Sequence, residues 1–277
     1  MAEITAQAVK AFREKTGLPL MDCKRALTEA AGDEAKAIEL LRKSGEKLEV
    51  KRAGRETEFG RFGIYSGLDK KTAAMVELKC ESAPVTQNEE FVQLADDLAT
   101  QLALGPGATT GEELLEQPSP SKKGMTLGDQ KADLFNRIRE VFNVGRLIRI
   151  DSPCAGYSHN AKTVAGVLVE VEGGNERAAK DVCMHVAAMR PQVLNIEDLD
   201  PKDVEKEREI LREAASKEGK PDHIVEKMVE GRLRNFYSEC VLCEQPFVKD
   251  DKMTVGKYAK QQGMTIKRFV HWELGAS

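Results

Sequence analysis

Two cysteines three positions apart are the residues whose spacing most suggests chemistry. Cys240 and Cys243 form a single Cys-x-x-Cys pair. A structural zinc site usually has four ligands, and neither a second cysteine pair nor a close histidine pair follows. A redox pair needs a lowered thiol pKa, commonly at a helix N-terminus, whereas the surrounding SECVLCEQPF is typical of a strand. We predict strand cysteines without metal or redox chemistry, and a thiol oxidoreductase stays as an alternative.

The histidines and glycines indicate no catalytic site. None of the four histidines has a triad-like spacing with Ser or Cys, and His185 on an apolar helix face is typical of a core histidine. The sequence contains no G-x-x-x-x-G-K-[S/T] loop and no G-x-G-x-x-G after a strand. We therefore predict that the protein is not an enzyme, uses no cofactor and no metal, and binds no GTP through a common motif.

The composition excludes further classes. A formal net charge of −4 argues against nucleic acid as a direct partner, because such binding usually requires a dense basic surface. No apolar run approaches the roughly 18 residues of a membrane-spanning helix, and the N-terminal residues lack the pattern of a signal or transit peptide. Six thinly spread cysteines suit free thiols in a reducing compartment. The expected location is cytoplasmic, without a membrane partner.

Short helices are predicted at the N-terminus. Residues 4–43 show three apolar-periodic segments, with Asp33 placed to cap the third. Because so small a unit has little core, it is either a packing appendage or a docking element. Leu20 and Met21 beside the first turn supply candidate apolar contacts. The polar stretch 44–55 is expected to be a solvated connector.

An internal repeat organises the middle of the chain. Residues 65–81 and 157–173 both begin Tyr-Ser, pass a turn with Lys-Thr and enter a β-rich run containing Val-Glu. An apolar-periodic helix follows each copy. The repeat predicts two α+β subdomains built from a hairpin and a helix. Strands beginning around Arg61 and Asn143 are expected to complete the two sheets.

Local signals predict the remaining elements. The Pro-, Gly- and Ser-rich residues 105–124 indicate a flexible surface connection, and a helix is expected over 129–142. Asp200-Pro201 is a typical helix start, and two helices around a turn at 219–221 predict a helical hairpin. Such a hairpin projects into solvent or packs against another copy or a partner. The chain is predicted to close with a short helix (Thr254–Gln262) and a strand (Met264–Leu274).

Several motifs resemble those of the translation elongation factor Ts family. The segment FREKTGLPLMDCKRAL at 12–27 is similar to the family's N-terminal signature. The similarity covers nearly the whole chain and extends in the family's order through VCMHVAAMRPQ (182–192), GKPDHIVEKMVEGRLRNFYSE (219–239), QPFVKD (245–250) and TVGKYAKQQG (254–263).

This resemblance implies an α+β fold in four parts. It implies an N-terminal three-helix ubiquitin-associated-like docking domain with its linker at 1–54, followed by an N-terminal core subdomain at 55–142. A C-terminal core subdomain with a C-terminal module is implied at 143–199 and 237–277, interrupted by a coiled-coil-like helical hairpin at 200–236.

The resemblance also implies a function. Family members are guanine-nucleotide exchange factors that bind elongation factor Tu with GDP, displace magnesium and promote GDP release. The helical hairpin is associated with subunit contacts, so a homodimer through it is an open possibility. The implied docking residues are Leu20, Met21, Ala165, Gly166, His185, Thr254, Val255 and Gly256.

One motif departs from the family. The family's middle signature is Cys-Glu-Thr-Asp-Phe-Val, in which Asp-Phe is the wedge that disturbs the magnesium site of the GTPase. Here Ser82, Ala83, Pro84 and Val85, called loop 82–85, occupy the implied magnesium-dislocation positions without the carboxylate and the ring. Pro84 should restrict Ala83 to an extended backbone, so the loop could still act by shape. The alternative is a module that binds and stabilises elongation factor Tu without exchange activity.

Overall fold

The computed structural model describes residues 4–52, 54–160, 164–217 and 221–275 of the 277-residue chain. Its described helices and strands are, in chain order, α1 (Ala6–Thr16), α2 (Leu20–Glu29), α3 (Glu34–Arg52), β1 (Phe59–Tyr65), β2 (Ala73–Cys80), α4 (Glu89–Leu104), α5 (Gly111–Leu115), α6 (Leu127–Ile138), β3 (Phe142–Ile150), β4 (Cys154–Asn160), β5 (Val164–Gly173), α7 (Glu176–Met189), α8 (Pro201–Ser216), α9 (Asp222–Cys240), β6 (Pro246–Phe247), β7 (Asp250–Thr254), α10 (Val255–Gln261) and β8 (Met264–Glu273).

The mixed α+β fold is confirmed, and two similar sheets form its centre. The first is antiparallel in the order β1-β2-β3, and the second is antiparallel in the order β4-β5-β8. Helices α4 and α7 follow the central strands β2 and β5 and pack on their sheets. The predicted duplication of a hairpin and a helix is therefore present.

The strand predicted near Asn143 lies in the first sheet, so its expected place in the second was wrong. Asn143 pairs with Lys79 and Ile150 pairs with Ala73. In each copy the third strand follows the hairpin and helix after a long insertion. That insertion contains α5 and α6 in the first copy, and α8 to α10 in the second. Strand β8 therefore completes the second sheet.

The N-terminal unit, α1 to α3, has a small core of its own around Phe12, Cys23 and Leu27. The helix-friendly stretch at 44–55 is helical as far as Arg52, where α3 ends. Part of it packs against α6, where Glu49 pairs with Lys131, so the predicted solvated connector is corrected there. Residue 53 of that stretch lies outside the described residues.

The structure adds detail to one prediction from local composition and corrects another. The connection at 105–124 lies mostly at the surface but contains α5, and its Ser121 donates to the buried Asp97, which also accepts from Gln130 of α6 (2.8 Å). Helix α6 ends at Ile138 rather than near residue 142, because Arg139 takes a left-handed conformation with φ 67°. The next residues then enter β3.

Helices α8 and α9 form the predicted hairpin, with a narrow core of Ala215, Val225, Val229 and Leu233. Asp200 caps α8 by accepting a hydrogen bond from the backbone N–H of Lys202 (2.9 Å). The turn residues 218–220 lie outside the described part. Within the ranges given above, no helix is both long and apolar enough to cross a bilayer.

Candidate partner-binding surface

Loop 82–85 lies at the surface where β2 ends. Ser82 is extended, and a 3₁₀ turn covers Ala83–Gln87. Ala83 therefore lies within the turn, which corrects the extended geometry expected for it. Ala83 and Pro84 are exposed, whereas Val85 is buried in the first core. The hydroxyl of Thr86 donates to the carbonyl of Ala83 (2.7 Å) and closes the turn. The two wedge positions are thus presented outward on a short, internally bonded turn.

A carboxylate from a distant part of the chain holds the start of this loop. Glu140 accepts hydrogen bonds from the backbone N–H of Ser82 (3.0 Å) and from its hydroxyl (2.6 Å). Charge-assisted bonds of this kind are stronger than neutral ones. Glu140 is absent from our sequence predictions, since it stands 58 residues from Ser82 and no motif links the two.

The adjacent Glu81 anchors the same region from the other side. Its carboxylate accepts from the backbone N–H of Val141 (2.8 Å) and pairs with Arg55 (2.9 Å). Burial alone would raise the pKa of Glu81, but these two interactions outweigh it and the pKa is lowered. Arg61 supports the far end of the turn by donating to the carbonyl of Thr86 (3.1 Å).

The N-terminal unit exposes apolar side chains. Met21 is 71% exposed and Leu20 is 47% exposed, and Ile38 of α3 is also exposed. The opposite face of α2 buries Cys23 and Leu27. Leu20 and Met21 are therefore free to contact a partner, as their predicted role requires.

Two predicted docking residues lie inside the molecule. Ala165 and Gly166 of β5 are both buried, and Gly166 faces the first sheet. A side chain at Gly166 would meet the sulfur of Met75 at 2.5 Å and the ring of Phe62 at 2.7 Å. The lack of a side chain at Gly166 lets the two sheets approach here, and the docking role of both residues remains a prediction.

His185 and the start of α10 are connected through Gln245. His185 is fully buried, and its Nε2 lies 2.9 Å from the side-chain oxygen of Gln245. The backbone N–H of Val255 donates to the carbonyl of Gln245 (3.0 Å). Thr254 caps α10 by accepting from the backbone N–H of Lys257 (3.3 Å). Partly exposed Thr254 and Gly256 border an open groove of about 550 Å³, whereas Val255 is buried.

The cysteine pair does not form the predicted strand. Cys240 ends α9, and Cys243 lies in a 3₁₀ turn at Leu242–Glu244. Helical backbone bonding continues through Cys240, since the next residue, Val241, donates its backbone N–H to the carbonyl of Tyr237 (2.9 Å). Burial raises the pKa of both thiols, which disfavours the reactive thiolate. Among the described residues, no cluster of three or more His, Cys, Asp or Glu side chains could hold a metal.

Comparison with known proteins gives a consistent result. The family model described as "Elongation factor TS" matches residues 84–276. The chain is 42% identical to an elongation factor Ts of Methylococcus capsulatus, over 98% of this chain and 92% of the relative. It is 43% identical to that of an Azoarcus strain, over 99% and 92%. It is also 40% identical to that of Aquifex aeolicus, over 98% of both chains.

Proposed function

We propose, from the fact that this chain belongs to the elongation factor Ts family, that it is a guanine-nucleotide exchange factor for elongation factor Tu. In this proposal it binds the GTPase with GDP in the cytoplasm, displaces magnesium and promotes GDP release. It transforms no substrate and acts by binding alone.

The physical basis of such exchange is linkage. A protein that binds the nucleotide-free GTPase more tightly than the nucleotide-bound form weakens nucleotide binding by the same factor. Each tenfold weakening corresponds to about 1.4 kcal/mol of differential binding. We assign the docking contacts to Leu20 and Met21, and to the surface around Thr254 and Gly256. The docking roles implied for the buried residues Ala165, Gly166, His185 and Val255 stay predictions, and a docked partner would reach them only after a local rearrangement.

Loop 82–85 is the observation that carries the proposal. Its residues Ala83 and Pro84 are exposed and its start is held by Glu140, so a docked partner would meet it in a fixed orientation. Because Ala83 and Pro84 offer neither charge nor a ring, displacement of magnesium would depend on the shape of the turn. Proline limits the freedom of that turn, which lowers the entropy lost on contact.

Release of labelled GDP from elongation factor Tu, followed by stopped-flow fluorescence, tests the proposal. We expect the full chain to accelerate release in a saturable manner. The double substitution Ala83→Asp, Pro84→Phe should raise the maximal rate further, because it restores the family's acid and ring. Lys122→Asp with Lys123→Phe is the matched control, since it places the same groups on another exposed loop.

A binder without exchange activity is the second candidate, and the missing acid and ring favour it. Tight binding of the GTPase with no faster GDP release at saturation would select this candidate. If the chain neither binds the GTPase nor accelerates GDP release, both candidates are contradicted.

The helical hairpin is our proposed contact between two copies, because Ile210 on α8 is exposed. Sedimentation velocity at increasing concentration tests that contact.

A further inference from the structure

Three consecutive residues after α6 connect the N-terminal unit to loop 82–85. The first, Arg139, has a positive φ of 67°, which is uncommon for a residue other than glycine. Such a conformation persists where the surrounding contacts determine it. Residues 139–141 are held by the N-terminal unit on one side and by contacts with residues 81 and 82 on the other.

The N-terminal unit holds Arg139 at two points. The guanidinium of Arg139 donates to the carboxylate of Asp22 on α2 (2.6 Å). The carbonyl of Arg139 accepts a hydrogen bond from the guanidinium of Arg52, the last residue of α3. Asp22 directly follows the exposed Met21. Helix α2 is therefore tied to the side chain of Arg139, and α3 is tied to its backbone carbonyl.

The next two residues hold the loop. Glu140 binds the backbone N–H and the hydroxyl of Ser82, and the N–H of Val141 donates to Glu81. These contacts and those of Arg139 belong to one short segment with a constrained backbone. A displacement of α2 can thus reach the start of loop 82–85 through the Asp22–Arg139 bond, the backbone of residues 139–140 and the Glu140–Ser82 bonds.

We propose that Arg139 and Glu140 form a joint that sets the orientation of loop 82–85 according to the position of α2. Docking of α2 on the GTPase then fixes the loop for exchange, and Glu140 is a positioning residue. This inference rests on the proposed function for its role in exchange. The joint itself is a property of the chain alone.

Other contacts between the same units provide a control. Arg42 of α3 pairs with Asp129 at the start of α6 (2.6 Å). This ion pair joins the N-terminal unit to α6 at the end remote from Arg139. Loss of a contact at the joint and loss of this contact should therefore have different effects on the loop.

Hydrogen exchange of the full chain without a partner tests the joint. Glu140→Ala should increase deuterium uptake over residues 81–88, because the N–H of Ser82 loses its acceptor. Arg139→Gly should do the same to a smaller extent, since glycine keeps the positive φ and removes the pair with Asp22. Arg42→Ala should leave uptake over 81–88 unchanged. Glu140→Gln, which keeps one acceptor oxygen, should give an intermediate increase in uptake. It replaces Glu140→Ala in this test if the alanine variant does not fold.

GDP release tests the role of the joint. Loss of two charge-assisted hydrogen bonds should lower the maximal release rate of Glu140→Ala about tenfold, with the half-saturating concentration nearly unchanged. A merely structural defect would change both. Arg139→Gly should lower the maximal rate by less.

Each outcome decides a separate point. Unchanged uptake and an unchanged maximal rate in Glu140→Ala would overturn the joint while leaving exchange activity intact. An effect of Glu140→Ala without any effect of Arg139→Gly would overturn the link to α2, as would an increase in uptake over 81–88 in Arg42→Ala as large as that in Arg139→Gly. If the unmodified chain accelerates no release, the proposed function fails, and hydrogen exchange still decides whether the joint exists.

Discussion

At the scale of single residues, His185 shows how burial fixes a protonation state. Its Nδ1 accepts a hydrogen bond from the backbone N–H of Val248 (3.2 Å). The ring proton is therefore on Nε2, which donates to Gln245. Burial lowers the pKa of His185 below its ordinary value of 6.5, although the bond to Gln245 opposes the shift. A second proton would break the bond from Val248.

The pH dependence of stability follows from the lowered pKa of His185. Below pH 6.5 the unfolded chain binds a proton at His185 that the folded protein resists, so the free energy of unfolding should fall as the solution is acidified. His185→Gln should flatten this slope between pH 7 and 5, measured by urea unfolding. Because burial also lowers the pKa of His271, His271→Gln is the companion variant. An unaltered slope in His185→Gln would contradict the prediction.

Gly166 gives a second prediction at this scale. Since an added methyl group would approach Met75 and Phe62 within 2.7 Å, Gly166→Ala should lower the free energy of unfolding by about 1–3 kcal/mol. Gly231→Ala is the matched control, because that position in α9 has no atom within 4 Å of the added group. It should stabilise the protein by about 0.5–1 kcal/mol. Equal urea midpoints for the two variants would disprove the packing argument.

At the scale of elements, the helical hairpin differs from the sheets because its core is small. Four buried side chains hold α8 against α9, and partly buried Phe236 and Tyr237 connect it to the body. Regions with few buried apolar contacts open locally at lower free energy than the rest of a protein. The hairpin should therefore exchange its amide hydrogens before the central strands do.

Truncation of one hairpin core residue should expose this difference. Leu233→Ala should cost about 2–5 kcal/mol of local stability. Because the loss is confined to the hairpin, deuterium uptake should rise over 201–236 and remain unchanged in β2 and β5. Ile210→Ala, which alters an exposed side chain on α8, is the control. Uniformly faster exchange throughout the chain would show that the hairpin is not an independent unit.

At the scale of the whole molecule, Arg146 joins the two sheets. It binds the buried carboxylate of Glu77 in the first sheet (2.8 Å) and the carbonyl of Glu273 in the second (2.6 Å). Its guanidinium lies 5.2 Å from the centre of the Trp272 ring, within the range of a cation–π interaction. One side chain therefore satisfies polar groups from both sheets at their interface.

Removal of this side chain should be costly because a buried charge is left behind. Arg146→Met should lower the free energy of unfolding by about 3 kcal/mol, since Glu77 loses its main partner. The double variant with Glu77→Leu should recover most of that loss. Thermal and urea unfolding would measure both effects. A double variant no more stable than the single one would show that desolvation of Glu77 is not the cause.

The sequence by itself determined features whose physical causes lie within a few residues. Asp33 and Asp200 cap helices by bonding backbone groups two or three positions away, so their roles follow from local order. The duplicated hairpins and the family motifs are likewise continuous in the chain. Leu20 and Met21 could be predicted for the same reason, because an apolar pair beside a turn is a local signal.

Only the tertiary structure decided which distant segments meet. The sequence does not specify that Glu140 would hold Ser82, that β3 would pair with β2, or that Gly166 would lie between the sheets. Each of these contacts joins residues far apart in the chain, and each depends on how whole elements pack to bury apolar surface. Loop 82–85 was visible in the sequence as a departure from a motif. Its orientation depends on packing.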